Sequence, residues 1–569
     1  IIATVTGNVI SAAPTYTGQF GIRPIGSITG TVVENNMVSG VETAFLGANW
    51  ASGSPSGTEV HNNSLLGTVW GIDWSGGSGT LDASCNWYGT ASVSGVAAEV
   101  TGLVDYDPWL SDGSDINNPG FVPGGTCSGS ADMYVNDGVS DGNDIYTSAI
   151  GNNANPGSPA APFLTISHAV SVAVPGTTIW VDAGTFQEQV QINQSLNIIG
   201  NSRTKTIVKA PVTMANVPNP NGTGQPIISA SGAANTVNIS KIKIDGDGGR
   251  TVSSFVGMHY AEASGTFNDN HITGIHDSPV FSGVQSGVAF IANHAWDVSV
   301  AQTVSVTNNL IDDYQKGGIL VNELNTQGIV TGNVVTGQNT PGITAQNGIQ
   351  FGFGAYGTIT GNTVTGNLWN SAHPHTYVAA GILLAGVGVD NFDAATGMAT
   401  MISGNNLNGN ESGMLAAAGG FGYDHNAGVT YGGDFFANNK IHAELYDPST
   451  VPSLLNSYDK RADNPAQTNI VFGSVQYGVD YASAGHQLNV SAGTFVENVT
   501  IHQAVDVRGA NYLIAGCAGR GAESYINGGA GTGVDITSDD AKLTGFQVSG
   551  ATGVRARSHI GVEVKNNLI

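Results

Sequence analysis

Apolar residues in this chain recur in short alternating runs that close on Gly-Asn or Asn-Asn. Val306-Thr-Asn-Asn309-Leu-Ile is followed by Val330-Thr-Gly-Asn333-Val-Val-Thr-Gly337 and by Ile359-Thr-Gly-Asn362-Thr-Val-Thr-Gly366. The anchor asparagines lie 24 and 29 residues apart. Period-two alternation predicts strands, and a 20–30-residue repeat of short strands with Gly/Asn corners predicts a solenoid. The expected fold class is all-β, a right-handed parallel β-helix in tandem units. Gly suits the corners because sharp bends need φ > 0, which Asn also tolerates. Asn8, Asn36, Asn63, Asn270, Asn309, Asn333, Asn362, Asn405 and Asn439 all end such phrases and read as structural corner residues, stacked from coil to coil.

The same pattern divides the chain. Residues 1–110 read as the C-terminal coils of a first β-helix, closed by Cys85-Asn-Trp-Tyr-Gly-Thr90 and Val104-Asp-Tyr-Asp-Pro-Trp-Leu110. Residues 111–130, rich in Gly, Ser, Asp and Pro, read as a linker. A complete β-helix is expected over 131–456. Its start carries helical spacing at Phe163, Ile166, Val170 and Val174, ended by Pro175-Gly176, which predicts a short capping helix. Ala183-Gly-Thr-Phe-Gln-Glu-Gln-Val-Gln-Ile returns 309 residues later as Ala492-Gly-Thr-Phe-Val-Glu-Asn-Val-Thr-Ile, so 457–569 read as the N-terminal coils of a third β-helix. The first unit reads as having an end without a beginning, and the third as the reverse. A piece of a longer chain, or an end covered by another copy, is the expectation.

Composition narrows the function classes. Only 10% of the 569 residues are charged, and 42 Asp+Glu against 17 Lys+Arg give a formal net charge of −25. Such a surface repels nucleic acid and anionic membranes. No apolar run is long enough for a transmembrane helix. Of the three cysteines, Cys85 and Cys127 could pair across a domain end, or all three (with Cys517) stay as separate thiols.

The Ala-Gly-Thr-Phe-x-Glu-x-Val-x-Ile phrase, the Pro162-Phe-Leu-Thr-Ile lead-in and the Thr-Gly-Asn-x-Val coils resemble the pectin-lyase-like right-handed β-helix superfamily. The Cys-Asn-Trp-Tyr-Gly ending resembles the last coil of bacterial secreted members. The resemblance is specific for fold. The superfamily spans lyases, hydrolases, epimerases, tailspikes, adhesins and surface-layer components, so it implies an extracellular or cell-surface setting and leaves activity open.

Candidate chemistry is sparse. Asp312, Asp313 and Lys316 bring two carboxylates and an amine together, as proton abstraction from a uronate would need, with an outer loop as the alternative. Tyr423-Asp424-His425 faintly resembles the Tyr/Asp/His group of alginate epimerases. His373 and His375 have the spacing of two metal ligands without a third nearby. Asp137, Asp141 and Asp144, in a glycine-containing loop, are the best oxygen donors for a cation, and calcium is the one they suit. Trp296, Trp369 and Tyr356 could stack on sugars.

Two functions are therefore expected from different classes. The first is an extracellular structural or adhesive repeat protein, non-catalytic, part of a surface array or filament joined end to end to other copies. The alternative is a polysaccharide lyase, epimerase or hydrolase acting on an extracellular glycan. Neither calls for a nucleic acid or membrane insertion.

Overall fold

The repeated phrase folds as coils. The computed structural model describes all residues except 1–2, 13–17, 51–52, 118, 130–131, 141, 221, 251–253, 279–280, 295–299, 370–378, 388, 391–393, 396–397, 417–427 and 446–457. Its strands pair almost entirely in parallel with the strand one coil away, as in a right-handed parallel β-helix. Compactness divides the chain into residues 1–182 with 195–198, and residues 183–194 with 199–569. This division runs through the complete β-helix expected over 131–456, and it keeps the coils expected as a third unit with those before them.

In the first unit one sheet stacks Thr4–Thr6, Val32–Glu34, Glu59–His61, Leu81–Asp82 and Val104–Asp105. A second stacks Val9–Ser11, Met37–Leu46, Ser64–Asp73 and Val100–Thr101. Asn8, Asn36, Asn63 and Asn86 form a ladder in which each side-chain amide donates to the next, at 2.8–2.9 Å. The segment expected as a linker folds back instead. Cys127–Gly129 pairs antiparallel with Trp109–Leu110, Cys127 is disulfide-bonded to Cys85, and Phe121 is fully buried. Burying one aromatic and closing one covalent loop turns a Gly/Ser-rich stretch into a strap. The helix runs over Ile166–Val172, shorter than its apolar spacing predicted. The Thr165 hydroxyl accepts the His168 N–H at its start, and Phe163 bridges to Val135 instead of joining it.

In the second unit three parallel sheets share each coil. Inward positions are apolar ladders: Met258, Phe290, Ile319, Ile349 and Ile382 are in register and fully buried. The asparagine phrase makes a second ladder. Asn309 donates to Asn333, Asn333 to Asn362 and Asn362 to Asn405, each at 2.9 Å. It ends on Asp434, which accepts from Asn405, while Asn439 closes a separate ladder from Asn367 and Asn410. The residue that takes positive φ is the one before the ladder asparagine: Asn308 (57°), Gly332 (68°), Gly361 (63°) and Gly404 (66°).

After Ile441–Glu444 the sheet continues through antiparallel pairing with Ile470–Phe472 and Ala462–Asp463, then returns to parallel coils up to Glu563–Lys565. A helix over Val475–Tyr481, capped by Ser474, sits at this turn. The buried Glu411 carboxylate accepts the Tyr477 hydroxyl at 2.6 Å and the Lys440 amine at 2.7 Å, tying this helix to the coils before it.

Candidate functional site: a groove on one sheet of the coils

One sheet of the second unit is built from an irregular phrase. Gly317-Gly-Ile-Leu-Val-Asn322, Asn347-Gly-Ile-Gln-Phe-Gly352 and Ala380-Gly-Ile-Leu-Leu-Ala385 stack in register. The second position is glycine because the strands pass close there. A Cβ on Gly318 would meet the Gly348 carbonyl at 2.5 Å, and one on Gly381 would meet the Gly413 carbonyl at 2.8 Å. The side-chain alternation slips by one at this glycine, so the first, fourth and sixth residues of the phrase all face outward. Of these, Leu320, Asn322, Asn347, Gln350, Leu383 and Ala385 line a groove of ≈ 490 Å³, within the range of ligand sites. Six consecutive strands contribute, from Gly222–Ser231 to Ala380–Ala385, a run of roughly 24 Å at the usual strand spacing.

The floor is a ladder of His259, Ile291, Leu320, Gln350 and Leu383. Phe255 and Phe353 stand at its margins, and the hairpin Val217–Asn219 with Gly222–Ser231 adds Asn219 and Thr223. His259 Nε2 lies 2.7 Å from Asn293 Oδ1; burial lowers its pKa against the opposing effect of that bond, so it is neutral near pH 7. Amides form a relay: Asn347 Nδ2 donates to Gln350 Oε1 at 3.2 Å, and Gln350 Nε2 donates to Asn322 Oδ1 at 3.1 Å. Asn347 Oδ1 is buried and has no donor among the described residues. A buried acceptor left in that state asks for a hydroxyl or amine from a ligand or a water.

Lys316 and Glu323 complete the lining. The Lys316 amine donates to the Ala345 carbonyl at 2.8 Å, and burial pushes its pKa down to about 8. Asp312 and Asp313, grouped with it in the sequence, do not reach the groove. Asp312 ends the strand of a neighbouring sheet and pairs with His271 at 3.1 Å; burial raises its pKa, but the bonds from His271 and Thr273 outweigh that and hold it low. Asp313 takes a corner with φ of 50° and pairs with His276 at 3.3 Å. The three-residue cluster is split by the corner between two sheets.

Two of the calcium candidates, Asp137 and Asp144, accept hydrogen bonds within their own loop: Asp137 Oδ1 from the Val139 N–H, and Asp144 from the Asn136 amide at 3.1 Å. Their loop is held by the fully buried Asp182, which accepts the N–H groups of Ile145, Tyr146 and Thr147 at 2.7–2.9 Å. No group of three His, Cys, Asp or Glu able to hold a metal occurs among the described residues. Asp141, His373, His375, Trp296 and Tyr423-Asp424-His425 lie outside the described residues. Trp369 bridges to Gly342 and Tyr356 lies in the strand Tyr356–Thr360; neither lines the groove. The groove amides escaped the sequence reading, although the x-Gly-Ile-Leu/Gln phrase at 30- and 33-residue spacing was their signal.

Comparison with known proteins adds no residue roles. A family model described as a protein of unknown function, DUF1565, matches residues 149–247. No curated protein sequence matches the chain. Among solved structures, the chain is similar to a GH136 lacto-N-biosidase from Eubacterium ramulus, at 11% identity over 77% of this chain and 67% of that one, with a TM-score of 0.37. A pectin methylesterase from carrot is 13% identical over 48% of this chain and 78% of its own, with a TM-score of 0.21. XylC in complex with xylose is 10% identical over 60% and 73%, with a TM-score of 0.25. The fold is a right-handed parallel β-helix.

Proposed function

We propose that this right-handed parallel β-helix is an extracellular structural or adhesive repeat protein that holds an extended glycan in the groove, by binding and not by cleavage. The observation that carries the reading is Asn347: a buried amide oxygen without a donor among the described residues, at the head of an amide relay on a floor that includes Ile291, Leu320 and Leu383. A sugar offers the hydroxyl that the oxygen lacks and apolar ring faces for Ile291, Leu320 and Leu383. An extended saccharide laid across the strands would meet one coil after another. The disulfide Cys85–Cys127 is consistent with an oxidising compartment. The tie between Glu411, Lys440 and Tyr477 suits a repeat protein whose coil stacks join in tandem.

The test is calorimetry with cellohexaose, xylohexaose and chitohexaose. We expect binding by the natural protein and at least tenfold weaker binding by Asn347→Leu. Absence of binding to all three, or an unchanged Asn347→Leu, overturns the reading.

One observation favours the enzymatic alternative. A lysine whose pKa falls to about 8 is partly neutral in mildly alkaline solution and could take a proton from a uronate ring carbon. Absorbance of an unsaturated product from an acidic polysaccharide, lost in Lys316→Met, would establish a lyase; no such product from any acidic polysaccharide would remove it.

A further inference from the structure

The groove floor carries one imidazole among aliphatic and amide side chains. His259, in the strand Phe255–Ala261, stands in register with Ile291, Leu320, Gln350 and Leu383. It lines the groove and is only 3% exposed. An aliphatic side chain here would continue the floor without burying any polar atom. A buried imidazole costs free energy unless its nitrogens find partners.

One nitrogen has its partner within the sheet. His259 Nε2 lies 2.7 Å from Asn293 Oδ1, and an amide oxygen has no hydrogen to give. The hydrogen of that bond therefore belongs to Nε2. A neutral imidazole carries hydrogen on one nitrogen alone, so Nδ1 presents a lone pair. No donor to Nδ1 occurs among the described residues. Asn293 thus fixes the tautomer, and the tautomer fixes what Nδ1 can accept. Asn347 Oδ1 is a second buried acceptor without a donor among the described residues, three strands along the same sheet. At the usual strand spacing, that places the two acceptors roughly 14 Å apart in the direction of stacking.

We infer that His259 is a specificity residue of the groove: its Nδ1 accepts a hydroxyl of one sugar unit, while Asn347 Oδ1 accepts a hydroxyl of another unit further along the same glycan. This rests on the glycan reading of the groove and narrows the class of ligand. Both acceptors need a hydrogen from the ligand, which a free hydroxyl supplies and an ether, an ester or a carboxylate does not. The ligand is therefore a glycan with unsubstituted hydroxyls on units several strands apart. Ile291 and Leu320, between the two acceptors on the floor, meet the apolar ring faces in between.

The experiment compares the natural protein with His259→Phe and His259→Asn, by calorimetry with the three hexasaccharides and with the per-O-methylated form of each, and by thermal melting. His259→Phe keeps a ring without either nitrogen and should bind at least tenfold more weakly. His259→Asn offers an amide oxygen near the place of Nδ1 and should recover most of that loss. The methylated forms keep their ring faces and should bind the natural protein at least tenfold more weakly than the free sugars. Unchanged binding by His259→Phe, beside weakened binding by Asn347→Leu, overturns the inference and leaves the groove reading standing. Equal binding of methylated and free sugars also overturns it. Equal losses in both variants together with lowered melting of both do the same, as the residue is then only structural. No binding of any hexasaccharide by the natural protein overturns both readings.

Discussion

Lys316 shows how far a residue's neighbours in sequence mislead about its neighbours in space. Asp312 and Asp313 are four and three positions away, yet each is drawn to a histidine on another coil, and Lys316 is left with a backbone carbonyl. Burial alone sets its pKa, lowered from 10.5 to about 8. The folded chain therefore holds this proton less firmly than the unfolded chain does. The penalty is full below about pH 8, and stability from this position rises as pH climbs from about 8 to about 10.5. Lys316→Met should accordingly stabilise the protein at pH 7 by about 1–2 kcal/mol, discounted for its partial exposure, and the gain should vanish above pH 10.5. Melting curves of both proteins across pH 7–11 check this. The amides beside it were not legible for a related reason: Asn322, Asn347 and Gln350 look like any polar strand residues until the slip at the stacked glycines turns them to one side.

At the scale of elements, the coils were readable because their signal is local. A β-branched pair before Gly-Asn names both the strand and the corner, and the stack then repeats the same hydrogen bond from Asn309 to Asp434. Which of the two corner residues takes positive φ was not readable, since Gly and Asn both tolerate it and only the ladder decides. The strap over 111–129 was misread because its few anchors, Phe121 and Cys127, are scattered among turn residues. Cross-linking positions 42 residues apart should stabilise the first coil stack by roughly 2–4 kcal/mol. Melting with and without dithiothreitol, and of Cys85→Ser with Cys127→Ser, should show a lower transition on reduction and the same lowering in the double variant. A transition indifferent to reduction would mean the strap is held by Phe121 alone.

Across the whole molecule, charge outweighs any single contact. A formal net charge of −25, with so few cations to offset it, makes the folded chain repel itself. Raising NaCl from 0.01 M to 0.5 M shortens the screening length from about 30 Å to a few Å, so the melting temperature should rise by a few degrees. A melting temperature that falls with salt would instead give the weight to ion pairs such as Lys440–Glu411.

By itself the sequence determined a parallel β-helix, its tandem phrases, its ladder asparagines and the short helix at Ile166–Val172. Each of these rests on interactions between residues at fixed spacing, which repetition writes many times over. The groove was decided only by the tertiary structure. Its members come from six coils spread over more than 160 residues, and they face one another only once the strands are stacked and the glycine slip has turned them outward. Asn347 is an ordinary strand residue in the sequence; burial without a donor among the described residues is a property of the folded coil alone.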